Sequence, residues 1–137
     1  MELMTANRDH CEITILVIDD EPLFLKMLTR ILKSLGYSVL DTSTYDDAIR
    51  LTKLNSDKID LVITDVIMPG INGPELTEMI REIKPSLKFL YTSGYSFKSL
   101  NSDGIFKRSS IHFLEKPFSK EALQRKIQNI LDETHLL

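Results

Sequence analysis

Apolar residues fall along this chain in two alternating rhythms. Ile13–Ile18, ITILVI, is a short unbroken apolar run rich in β-branched side chains, the pattern of a strand covered on both faces. PLFLKMLTRILKSLG follows, with Pro22 suited to a first helical turn and Gly36 to a helix end. Leu25, Leu28, Leu32 and Leu35 recur there at helical spacing. Tyr37–Thr42 predicts a second strand, and Thr44–Asn55 a second helix with Thr44 and Asp47 at capping-box spacing and Ala48, Ile49 and Leu51 inward. Leu61–Thr64 predicts a third strand. The helix after it carries Pro74 near its start and Leu76, Met79, Ile80 and Ile83 on its inner face. Leu87–Ser93 and Ile111–Lys116 predict two more strands. A last helix begins at Ser119 with Leu123, Ile127, Ile130 and Leu131 facing in. Between those strands, Tyr95–Ser110 is serine-rich with poor apolar spacing, and predicts only a short or mobile helix.

Five strand–helix alternations imply a parallel sheet with helices on both faces, an α/β fold. Residues 1–12 are polar and read as a flexible lead-in, with 13–137 as one domain. The 137-residue length agrees with a single core. Lys plus Arg number 17 against 20 Asp plus Glu, a net charge of −3, which argues against direct nucleic-acid binding. The single cysteine, Cys11, excludes an internal disulfide. No apolar run approaches the roughly 20 residues of a membrane span, and the start lacks a signal-like core. A cytoplasmic location is expected.

In open parallel sheets the site lies outside the carboxyl ends of the strands. Here the first strand ends in Asp19-Asp20-Glu21, the third in Asp65, the fourth in Thr92-Ser93-Gly94 and the fifth in Lys116-Pro117. Singly, each has a plainer role: a helix cap, a turn residue, a surface charge beside Glu115. Together they gather acids, a hydroxyl and an ammonium on one rim. Crowded carboxylates repel one another, and a hard divalent cation relieves that. Mg²⁺ favours one or two carboxylates with waters and a phosphate. Asp20 and Asp65 are the best direct ligands, with Asp19 through water and the backbone carbonyl of Ile67 as a further oxygen. Asp65 would then attack phosphorus as a nucleophile, with Mg²⁺ and Lys116 offsetting charge and Ser93 donating a hydrogen bond. His10, His112 and His135 show no metal-ligand spacing, and Lys107-Arg108 reads as a solvated pair.

VIDDEP, VITDVIMPGINGPEL, YTSGY and FLEKPFSKEAL stand in an order that resembles the receiver domain of two-component response regulators, over about Ile13 to Leu131. The resemblance implies a flavodoxin-like, doubly wound five-stranded parallel sheet in the order 2-1-3-4-5, flanked by five helices. It implies that Asp65 takes a phosphoryl group from a phosphohistidine on a sensor histidine kinase or histidine phosphotransfer protein. Asp19 and Asp20 match the family's acidic pair, Ser93 its switch hydroxyl, and Lys116 its lysine before a proline, with a cis Lys116–Pro117 bond. Phe113 stands at the aromatic switch position, and Ile67 and Tyr95 where loss of the phosphoryl group is tuned. Gly94 would leave Ser93 room to move. Because the chain ends with its last helix, output is expected through a partner on the face of the fourth helix, fifth strand and last helix. Homodimerisation through the last helices is compatible with the family. An aspartyl-nucleophile phosphohydrolase of small phosphomonoesters is the alternative, disfavoured because Ile67 stands where such enzymes place a second aspartate.

Overall fold

A computed structural model describes residues 13–133; the lead-in expected over residues 1–12, with His10 and Cys11, and His135 lie outside them. Strand β1 (Thr14–Ile18) leads through helix α1 (Pro22–Ser34) to β2 (Ser38–Thr42), and α2 (Tyr45–Leu54) leads to β3 (Ile59–Asp65). A small pair, β4 (Ile67–Met68) and β5 (Ile71–Asn72), precedes α3 (Gly73–Ile83). Then come β6 (Lys88–Ser93), α4 (Phe97–Ser102), β7 (Phe113–Glu115) and α5 (Lys120–Asp132). Five strands form one parallel sheet ordered β2-β1-β3-β6-β7, the expected 2-1-3-4-5, and β4 and β5 pair antiparallel beside it.

The period-two side-chain alternation of a strand explains why these runs are apolar throughout. In β1, Ile15 and Val17 enter a core layer with Leu28 and Leu32 of α1 and Leu123, Ile127 and Ile130 of α5. Leu16 and Ile18 enter the opposite layer with Ala48 of α2 and Leu76 and Ile80 of α3. A third cluster, Val66, Tyr91, Leu100 and Phe106 with Phe113 against it, anchors α4.

The helices start where the sequence signals them. Thr44 accepts from the Asp47 N–H, Ser119 from that of Ala122, and Asn72 and Glu75 form a reciprocal capping box. Gly36, at φ 100°, turns the chain out of α1 into β2.

Two expectations need correction, and one element is new. Met79 is 42% exposed rather than inward. The buried residues of α3 are Gly73, Pro74, Leu76, Thr77 and Ile80, and a residue beside Ile80 lies about 100° away from it around the helix. The last strand pairs only over Phe113–Glu115, shorter than Ile111–Lys116. The two-residue β4–β5 pair was not anticipated; pairs so short carry no periodicity.

Gly73 is a tight point. Its N–H donates to the Val66 carbonyl at 2.6 Å, and a Cβ there would lie 2.5 Å from the Asp65 carbonyl oxygen. A Cβ on Gly94 would meet no atom within 4 Å. Gly73→Ala is therefore expected to lower stability by about 1–3 kcal/mol in urea unfolding, and Gly94→Ala to stay within ~0.5 kcal/mol of wild type. Equal losses would contradict this packing.

Candidate functional site: an acidic rim with one lysine

Chain geometry at the sheet's carboxyl edge decides which side chains meet. Asp19 follows the last residue of β1 and is buried, its N–H donating to the Thr42 carbonyl at 3.2 Å. Its Oδ1 accepts the Glu21 N–H at 2.9 Å, an Asx turn that folds Glu21 back over the rim. Asp65 ends β3 beside Thr92 of β6, and the Val66 N–H donates to the Thr92 carbonyl at 3.0 Å. The Lys116 N–H donates to the Ser93 carbonyl at 2.7 Å, which brings the lysine to the tip of β6. The Lys116–Pro117 bond is cis.

The Lys116 ammonium is the hub. Its Nζ lies 2.9 Å from Asp19 Oδ2, 3.3 Å from Glu21 Oε1 and 3.7 Å from Asp65 Oδ2. It also sits 4.0 Å from the centroid of the Phe24 ring. Burial alone would lower its pKa; the surrounding carboxylates, Asp19 foremost, outweigh that and hold it above the ordinary lysine value. Burial pushes Asp19 upward, against its bonds to the Glu21 N–H and Lys116. Asp65 rises furthest, to about 6, first through burial and then through the Asp19 charge, with Lys116 opposing.

Carboxylate oxygens of Asp19, Glu21 and Asp65 lie within 4.8 Å of one another. Three acids against one ammonium leave the rim negative, and an all-oxygen donor set suits a hard divalent cation. Asp20 is outside this trio; it is half-exposed and lines a groove with Pro22, Leu23 and Met27, although its charge still raises Asp65. Glu21 completes the trio with Asp19 and Asp65, brought there by the Asx turn. The signal available was the Asp19-to-Glu21 spacing of an Asx turn.

Ser93 is buried at the tip of β6, its Oγ accepting the Tyr95 N–H at 3.0 Å. Ile67 and Tyr95 are 45% and 61% exposed. Phe113 is half-buried with its ring edge-on to Phe97, centroids 5.5 Å apart. His112 hydrogen-bonds Glu133 at 3.2 Å. Arg108 is solvent-exposed, as expected, and makes a two-pronged surface bond to Glu78 at 2.7 and 3.0 Å.

A five-stranded parallel sheet with an aspartate, an acidic turn and a lysine at its carboxyl edge defines a CheY-like receiver. The sequence profile described as "response regulator receiver domain" matches residues 15–128, so the chain belongs to that family, the phosphoacceptor modules of two-component signalling. It is 31% identical to the response regulator receiver protein CpdR of Brucella abortus (strain 2308), covering 85% of this chain and 95% of that one. It is equally identical to the sensor kinase CckA of the same organism, over 88% of this chain but 13% of that protein; it spans half of the Bacillus subtilis regulator YvrH. The solved structure of TrrA from Thermotoga maritima in complex with Mg²⁺–BeF is 32% identical, with a TM-score of 0.69, covering 87% of this chain and 99% of that one. The family is in general a signalling rather than an enzymatic one, and the phosphohydrolase alternative is not favoured. Among the described residues no helix is long and apolar enough to cross a membrane.

The raised Asp65 pKa links pH to stability. The folded chain holds this proton more tightly than the unfolded chain, whose carboxyl titrates near 3.8. The favourable contribution is complete below about pH 4 and lost as pH rises through about 6. Without divalent metal, Asp65→Asn should exceed wild type in stability at pH 8 by about 1–3 kcal/mol, with the gain fading towards pH 4. Urea unfolding across pH measures it; a less stable variant at pH 8 would contradict the reading.

Proposed function

We propose that Asp65 accepts a phosphoryl group from a phosphohistidine on a sensor histidine kinase or a histidine phosphotransfer protein, with Mg²⁺ held by the acidic rim. The observation that carries this reading is the Lys116 ammonium shared by Asp19, Glu21 and Asp65 at 2.9, 3.3 and 3.7 Å. An Asp65 carboxylate oxygen forms the new P–O bond as the donor's P–N bond breaks, and the departing imidazole takes up a proton. Lys116 turns from the carboxylates to the phosphoryl oxygens, and the Ser93 hydroxyl leaves the Tyr95 N–H to donate to one of them. Asp19 and Asp65 supply direct or water-bridged metal contacts, joined by Glu21, Asp20 and the Ile67 carbonyl. Mg²⁺, when bound, supplies charge neutralisation for the phosphoryl oxygens. The Ser93 shift loosens the β6–α4 turn, Phe113 reorients, and the face of α4, β7 and α5 changes for a downstream partner.

Glu21 competes for Lys116 in this scheme, so it restrains phosphoryl uptake. The exposed apolar side chain of Ile67 and the Tyr95 ring shield the acyl phosphate from water.

Incubation with acetyl phosphate and Mg²⁺, followed by intact mass, should add one phosphoryl group to wild type and none to Asp65→Asn; labelling of the variant would overturn the assignment. At saturating Mg²⁺, where any loss of its metal contact is made up, Glu21→Gln is expected to take up the group several-fold faster, and an unchanged or slower rate would remove the restraint. Ile67→Asn should shorten the phosphoryl lifetime, and decay no faster than wild type would refute shielding.

A further inference from the structure

The amino end of β6 lies at the opposite edge of the sheet from Asp65. Lys88 to Ser93 is five strand steps, about 16 Å at ~3.3 Å per residue. At that far edge a cleft of about 260 Å³ opens between the last turn of α3, the start of β6 and the loop entering β7. Its charged and polar walls are Arg81, Lys88, Arg108, Ser110, His112 and Glu133.

Glu133, the one acid lining this cleft, and Glu78, which pairs with Arg108 from outside it, already have partners. Both Glu78 oxygens accept from Arg108, at 2.7 and 3.0 Å, and Glu78 lies only at ion-pair range, 3.6 Å, from Arg81 Nη1. Glu133 meets His112 at 3.2 Å. Arg81 Nη1 is buried and reaches no hydrogen-bond acceptor; the guanidinium lies over the Phe89 ring, 4.5 Å from its centroid. Among the described residues the Lys88 ammonium makes no hydrogen bond or ion pair. Three cations from three different elements therefore line a cleft whose one carboxylate, Glu133, is engaged by His112; of the three, Arg108 is already held by Glu78. A buried charged donor without an acceptor is costly, and an anion removes that cost.

We propose that this cleft binds a phosphate-type oxyanion, as free inorganic phosphate or as the phosphate of a small phosphomonoester. A tetrahedral dianion presents acceptors in several directions at once, matching cations carried by α3, β6 and the β7 loop. A planar carboxylate satisfies one guanidinium fork and leaves the others. The Ser110 hydroxyl adds a donor, and the volume admits a phosphate with a few carbon atoms. Arg108 shares its loop with Phe106, whose ring packs against Phe97 of α4 and Phe113 of β7 at 5.3 and 6.3 Å. An oxyanion bridging Arg81 and Arg108 ties that loop to α3.

The test is a titration of ¹⁵N-labelled full-length chain, carrying Asp65→Asn and free of divalent metal, followed by amide NMR at constant ionic strength. Inorganic phosphate and glycerol phosphate are added separately. Saturable shifts are expected at Arg81, Lys88, Arg108 and Ser110; tighter binding of one probe assigns the source, free phosphate or ester. Arg81→Gln and Lys88→Gln should each weaken binding about tenfold with an otherwise unchanged spectrum. Shifts confined to Asp19–Glu21 and Lys116, shifts that never saturate, or unchanged affinity in both variants would overturn the proposal.

Discussion

One ammonium held among three carboxylates is the constraint on which the rest of this molecule depends. Without the Lys116 charge, Asp19 and Asp65 would face each other buried and unpaired, which costs several kcal/mol. With it, the rim is still negative, so Asp65 keeps a raised pKa and the site retains an appetite for a divalent cation. The same arrangement that makes the resting fold uneasy makes it ready for phosphorus: a lysine near enough to move, and a carboxylate not fully neutralised.

The fold delivers these groups without strain elsewhere. Asp19, Asp65 and Ser93 stand at the ends of strands whose bodies are locked between apolar layers, so those tips are fixed by burial of residues such as Ile15, Leu16, Ile63 and Leu90, while Lys116 follows the half-buried edge strand β7. Gly73 lets the α3 turn close against the Asp65 backbone. The loops around Ser93 and Phe113 rest on the smaller aromatic cluster, where α4 has only six residues, and this is the side left able to move.

Much of this was legible in the sequence because it is local. The apolar runs gave the sheet layers, the Thr44 and Ser119 caps gave helix starts, and an aspartate ending a buried run marked Asp65. The strand order and the cis Lys116–Pro117 bond came through the family resemblance rather than from periodicity. Illegible were the features decided by side-chain direction or distant pairing. Successive residues at a strand tip diverge, so the choice of Glu21 over Asp20 as neighbour to Lys116 needed the Asx turn in three dimensions. The Arg108–Glu78 pair spans 30 positions, and no local pattern announces it. Met79 fell on the wrong side because leucine-like spacing fits two adjacent helical stripes until the neighbours are known.

The central claim, that burial and the Asp19 charge raise the Asp65 pKa and that a bound cation lowers it again, is tested most directly by ¹³C carboxyl NMR titration of that side chain with and without Mg²⁺. A midpoint at about 6 in metal-free solution, falling when Mg²⁺ saturates the site, is the predicted result. A midpoint near the ordinary aspartate value of about 3.9, indifferent to Mg²⁺, would contradict it.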